Sequence, residues 1–259
     1  MVLAPLIWLV AASVVALFAV GRWWLPEAIS AHAIAYDEQF RLTLWICAAI
    51  FIAAHALLGW VILRYRKRGA AVRHSTGSTR LEWIWTLATA VLFIGLMLTG
   101  NKIWASLQFA KPSPDALQIE VLARQFAWSY RYPGADGKFG PTRLALVNDA
   151  AANDFGIDRE DPAGKDDIIS PVLRVPAGRP VTLTLRARDV IHSLFIRELR
   201  IKQDVVPGMS IPLYFQADRP GTYEIACAEL CGLGHHQMRS TLRVLTTEAF
   251  EEWLAESKP

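Results

Sequence analysis

Three stretches of the chain are almost continuously apolar: Leu3 to Val20, Leu42 to Leu63, and Leu81 to about Leu98. Each approaches the ~20 residues a helix needs to cross a bilayer. Trp23, Trp24, Trp45, Trp83 and Trp85 lie near the ends of these runs, where interfacial aromatics gather. The connection Arg64–Arg80 is dense in Arg and Lys, which assigns it to the cytoplasm and everything after about Asn101 to the outside. The first run can also be read as the apolar core of a signal peptide, because Ala31-His32-Ala33 has a small-x-small pattern. No basic residue precedes that run and the tripeptide lies well beyond it, so a retained helix is the preferred reading.

After Lys111-Pro112-Ser113-Pro114 the pattern changes to short aromatic and β-branched segments. Ile119 to Tyr132, Val172 to Val175, Val181 to Leu185, Ile211 to Phe215, Thr222 to Ala226 and Thr241 to Leu245 are separated by Pro/Gly turns. Such spacing predicts an all-β sandwich or barrel. Residues 133–170 break it, beginning with a turn signal and continuing through an acidic stretch of little periodicity, and read as a long exposed insertion. The tail from Thr246 predicts a short helix capped by Thr246 or Thr247. The expected division is a transmembrane region over 1–104, with spans at about 3–20, 42–63 and 81–100. A linker at 105–116, a β-domain at 117–245 and a helical tail at 246–259 follow.

Hydrophobic residues make up 53% of the 259 positions, which fits a membrane-anchored chain better than a soluble one. The net charge is only +3 and its basic excess is local, which argues against a nucleic-acid partner. Three cysteines, Cys47, Cys227 and Cys231, are too few for a disulfide framework. Cys47 reads as a small buried hydrophobe. His55, inside the second span, reads as a helix-packing residue and not a haem ligand.

The chemistry concentrates in Cys227-Ala228-Glu229-Leu230-Cys231-Gly232-Leu233-Gly234-His235-His236-Gln237-Met238. Thiolate, imidazole and thioether donors are soft or borderline and favour copper over magnesium or calcium. His192, in Asp189-Val190-Ile191-His192-Ser193, is the candidate second imidazole. The two cysteines alone fit a disulfide, and with the two histidines they fit zinc. Neither reading uses Met238. Copper accounts for the whole set, with a mononuclear blue site and a binuclear site both open.

The spacing C-x-E-x-C-x3-H-x2-M with an upstream D-V-I-H-S resembles the CuA motif of cytochrome c oxidase subunit II. Glu82-Trp83-Ile84-Trp85-Thr86 and Lys202-Gln203-Asp204-Val205-Val206-Pro207-Gly208 are similar to further stretches of that family. The resemblance implies a cupredoxin-like Greek-key β-barrel behind two or three transmembrane helices. It also implies a bacterial inner (plasma) membrane location, multi-pass, with the copper domain on the periplasmic face. Cys227 and Cys231 would bridge two coppers, His192 and His235 would bind one each, and Met238 and the Glu229 carbonyl would complete the set. The Glu229 carboxylate would help hold magnesium at the interface with subunit I. Glu82 would stand at the entrance of a proton path.

Where the family commonly has W-x-W-S-Y, this chain reads Phe126-Ala127-Trp128-Ser129-Tyr130. Phe126 thus occupies the usual electron-uptake position, with Trp128 and Tyr130 as substitutes. The implied role is electron transfer from cytochrome c or a similar donor to haem in subunit I, among other oxidase subunits, for reduction of O2 to water. A CuA subunit of a nitric oxide reductase and a membrane-anchored copper-binding or assembly protein are the alternatives. A quinol oxidase subunit is disfavoured because the ligands are present. No C-x-x-C-H occurs, so no c-type haem is fused to the chain.

Overall fold

The computed structural model describes residues 2–21, 24–66, 77–109 and 113–257. The basic residues Lys67, Arg68 and Arg73, the interfacial Trp23, and part of the expected linker lie outside the described residues. The chain divides into two compact units, one of Met1–Leu25 with Tyr36–Ile103, the other of Pro26–Ala35 with Trp104–Pro259.

Three helices carry the apolar runs: α1 (Leu3–Val20), α2 (Ala31–Arg64) and α3 (Thr79–Gln108). All three are long and apolar enough to cross a membrane. The second and third run past the apolar spans, because residues such as Glu38, Gln39 and Arg41 form helix readily outside the hydrocarbon layer. In each apolar window at most 11% of residues are buried within the chain, so these helices must cover their surfaces with lipid or with other subunits. Cys47 is exposed on α2, not buried as a packing hydrophobe would be. His55 Nδ1 lies 2.8 Å from the Phe51 carbonyl one turn back, and the His55 carbonyl accepts from Trp8 Nε1 at 3.1 Å.

The β-domain contains β1 (Leu117–Arg124), β2 (Ala127–Tyr132), β3 (Ile168–Ser170), β4 (Leu173–Pro176) and β5 (Pro180–Ala187). It continues with β6 (His192–Ile196), β7 (Ile201–Val205), β8 (Ile211–Gln216), β9 (Gly221–Cys227) and β10 (Arg239–Leu245). One sheet has the order β3-β2-β1-β5-β8 and the other β4-β10-β9-β6-β7. The pairs β1–β5 and β4–β10 are parallel, and the remaining named pairs are antiparallel.

Alternation along the strands builds the core. Ile119, Val121 and Ala123 on β1 and Val181, Leu183 and Leu185 on β5 are buried from one sheet. Leu194, Ile196, Ile225, Leu242 and Val244 are buried from the other. A period of two places each set on one face of its sheet, which is how a sandwich buries its interior. The closing helix α4 (Thr247–Glu256) begins at Thr246, whose hydroxyl accepts from Ala249 N–H at 3.3 Å. It seats Phe250 in the core and sets Trp253 edge-on to Tyr132 at 4.9 Å.

The segment 133–170 is not the purely exposed insertion its composition predicts. Asp154 and Asp167 are buried. Asp154 accepts from Ser129 and from Arg124, the latter at 3.0 Å. Asp167 pairs with the buried Arg131, which also reaches Glu120 at 2.7 Å and the Gly140 carbonyl. An acidic loop looks solvated in sequence; here two of its carboxylates answer arginines of β1 and β2 and pin the segment to the sheet.

Candidate metal centre

Three chain segments meet at one end of the second sheet. His192 opens β6, Cys227 closes β9, and Met238 immediately precedes β10. Register aligns them, since Leu194 pairs with Cys227 and Ala226 pairs with Arg239. Two further hydrogen bonds close the end of the sheet, Cys227 N–H to the Met238 carbonyl at 3.0 Å and Ala228 N–H to the Ser193 carbonyl at 3.0 Å.

The donors converge within this frame. Cys227 Sγ lies 4.0 Å from His192 Nδ1, 3.9 Å from Cys231 Sγ and 3.2 Å from the Glu229 carbonyl oxygen. Cys231 Sγ lies 3.6 Å from His235 Nδ1 and 3.7 Å from Met238 Sδ. The ligand atoms of His192, Cys227 and Cys231 all fall within 4.8 Å of one another, as metal ligands must. Both cysteines are free and their sulfurs stand well beyond the ~2.05 Å of a disulfide. Burial, together with the neighbouring Cys227, pushes the Cys231 thiol up to about 11, so a bound metal would have to displace that proton.

Two residues without an assigned role in the sequence reading hold this arrangement. Asp189 accepts from His192 Nε2 at 2.8 Å and from the Gln125 N–H at 2.7 Å. Burial alone would raise the Asp189 carboxyl, but hydrogen bonds from Gln125, His192 and Val190 outweigh it and hold it below the usual carboxylate range. The Gln125 side chain donates to the Cys231 carbonyl at 2.6 Å. Asp189 stands three residues before His192 in the D-V-I-H-S stretch, a legible signal; Gln125 carries none.

The aromatic candidates separate. Phe126 is 38% exposed and its ring lies against the ligand loop. A Cβ at Gly234 would lie 2.5 Å from the Phe126 ring, and one at Gly232, where φ is +131°, would lie 2.7 Å from the Gln125 side chain. Glycine at both positions lets the loop close onto Gln125 and Phe126. Trp128 is buried and meets the His192 ring edge-on at 6.2 Å. Tyr130 is fully buried, and that burial pushes its phenol far above its ordinary range, so it offers no surface contact. The exposed Glu229 contributes its carbonyl to the cluster. Glu82 stands in the first turn of α3.

Residues 117–245 match the family described as cytochrome C oxidase subunit II, periplasmic domain, and residues 12–103 match its transmembrane domain. The alternative cytochrome c oxidase subunit 2 of Bradyrhizobium diazoefficiens is 33% identical over 239 residues, covering 91% of this chain and 84% of the relative. The chain belongs to the cytochrome c oxidase subunit II family. Cytochrome c oxidase subunit 2 of Thermostichus vulcanus is 30% identical over 262 residues, covering 88% of this chain and 77% of that protein. The solved periplasmic domain of subunit II from Bradyrhizobium japonicum is 23% identical, with a TM-score of 0.42, and covers 57% of this chain and 96% of that domain.

This subunit II is therefore part of a haem–copper cytochrome c oxidase, an oxidoreductase complex, and works among its other subunits. It is membrane-anchored, with three apolar helices before a cupredoxin-like β-domain. The family is a copper-containing one, and the His192, Cys227 and Cys231 cluster is compatible with that.

Proposed function

We propose that His192, Cys227, Glu229, Cys231, His235 and Met238 hold a binuclear CuA centre, which makes this chain the electron-accepting subunit of its oxidase. The convergence of two thiols, two imidazoles, a thioether and a backbone carbonyl carries this reading. Zinc would use four of these donors and leave Met238 and the Glu229 carbonyl without purpose. A copper pair bound there would supply one-electron chemistry, between cytochrome c or a similar donor and the haem of subunit I where O2 is reduced to water. Cys227, Cys231, His192, His235, Met238 and the Glu229 carbonyl would together hold that pair.

The chain's own contribution is rigidity. Ligands at the ends of hydrogen-bonded strands move little between redox states, which keeps the cost of electron transfer low. The Asp189–His192 hydrogen bond fixes the ring, and Gln125 ties the ligand loop to the same carboxylate. Phe126, part-exposed against that loop, is the proposed electron-uptake position. Trp128 contacts His192 from the interior. The exposed Glu229 carboxylate is proposed to help hold magnesium at the subunit I interface, and Glu82 to stand at a proton-path entrance. The β-domain would lie on the periplasmic face of a bacterial inner membrane, with the basic 64–80 connection inside.

Electron paramagnetic resonance of the purified oxidase tests the centre. One electron shared equally by two coppers is the expected signal, and Cys227→Ser or Cys231→Ser should abolish or convert it. A spectrum from a single copper would sink the binuclear assignment.

A further inference from the structure

The short segment before α2 is built into the β-domain. Pro26–Ala35 belongs to the same compact unit as Trp104–Pro259. Ile29 is 3% exposed and joins the core formed by the strands. Both of its backbone polar groups are used. Its N–H donates to the Glu198 carbonyl at 3.2 Å, and its carbonyl accepts from Asp218 N–H at 2.8 Å. The Arg200 guanidinium donates to the Pro26 carbonyl, and Arg219 pairs with Glu27. Ser30 then caps α2, its hydroxyl accepting from Ala33 N–H at 3.1 Å. An ordinary connection leaves its backbone to water; this one has its apolar side chain and its amide buried and partnered.

We propose that Pro26–Ser30 is a structural strap of the β-domain, and that proteolytic removal of the first helix can occur only upstream of Pro26, never at Ala31-His32-Ala33. Ala33 is fully buried in the first turn of α2, so a chain cut there would lose a residue that the fold encloses. A cut after Ala33 would remove Ile29 from the core, strip the cap from α2, and leave the Glu198 carbonyl and the Asp218 N–H without their partner. The small residue of that pattern has a packing role instead: Ala33 is fully buried.

N-terminal sequencing and intact mass of the chain purified within its oxidase complex test this directly. The mature chain should begin at or before Pro26, and a mature start at Ile34 would overturn the proposal. Hydrogen exchange of the full chain gives a second reading. The Asp218 amide should exchange slowly in the native chain and at least about tenfold faster in Ile29→Ala, with Ile29→Val keeping most of the protection. Equal Asp218 exchange in the native chain and Ile29→Ala would show that the strap does not hold.

Discussion

Asp189 accepts a hydrogen bond from His192 Nε2 at 2.8 Å, which leaves Nδ1 of the same ring 4.0 Å from Cys227 Sγ. An ionised carboxylate can only accept, so Nε2 carries the proton and Nδ1 presents its lone pair to the cluster. Losing such an outer partner typically weakens a metal site by about 10–100-fold. Asp189→Ala should therefore lower copper affinity by that order, and Asp189→Asn, which keeps an acceptor oxygen, by less. Competition against a copper chelator measures it. Equal affinity in all three proteins would show that the ring is held by packing alone.

Phe126 and Gly234 should behave as a coupled pair. Alanine at Gly234 would place its Cβ 2.5 Å from the Phe126 ring, an overpacking that costs about 1–3 kcal/mol. Phe126→Ala should cost roughly 1–2 kcal/mol, less than the ~3–5 kcal/mol of a fully buried phenylalanine, because the ring is 38% exposed. In the double variant the clash disappears, so its cost should fall short of the sum of the single ones. Thermal unfolding of the four proteins gives the cycle. If Phe126 is the electron-uptake position, Phe126→Ala also slows oxidation of the reduced donor while internal transfer to haem keeps its rate. Unchanged donor oxidation would move the uptake position elsewhere.

Much of this site is legible in the sequence because one segment, Cys227 to Met238, carries all the proposed ligands but His192. Gln125 is not legible, since the Cys231 carbonyl it reaches lies 106 residues further along and only the sandwich brings them together. Phe126 marks a departure from a motif, yet nothing in the motif shows its ring against Gly234. The strands follow from alternation, and the three membrane helices from uninterrupted apolar runs. The 133–170 segment reads as exposed because acidic residues without periodicity have no visible partner. Arg124 and Arg131 supply that partner from strands whose other residues explain themselves as core.

Asp167 should be the stability anchor of that segment. Removing one member of a buried ion pair usually costs about 3–5 kcal/mol, because the other charge is stranded. Asp167→Asn should cost less than that, since Glu120 still faces Arg131 at 2.7 Å. Arg131→Met should cost more, because it strands both Glu120 and Asp167 inside. Denaturant midpoints rank the two variants, and the reverse order would mean that a buried Arg131 short of one carboxylate costs more than two stranded carboxylates, which can take up protons.

The ion pair between Asp149 and Arg188 gives the opposite case, an attachment of the same segment at the surface. Two parallel contacts join them, at 2.7 and 2.9 Å, next in sequence to Asp189. The hydrogen bond from Arg188 holds the Asp149 carboxyl below its ordinary 3.8. A depressed acid contributes stability that is present above its unfolded value and is lost as the pH falls through the folded one. Solvent screens the pair, so the contribution at neutral pH should be at most about 1 kcal/mol, bidentate geometry notwithstanding. Asp149→Asn should therefore lower the unfolding midpoint slightly at pH 7. The difference should close as the pH drops below 3.8, where the native carboxyl also takes up its proton. High salt should close it too, because the pair is exposed. A midpoint difference that persists in acid would mean the loop is held at this point by packing and not by charge.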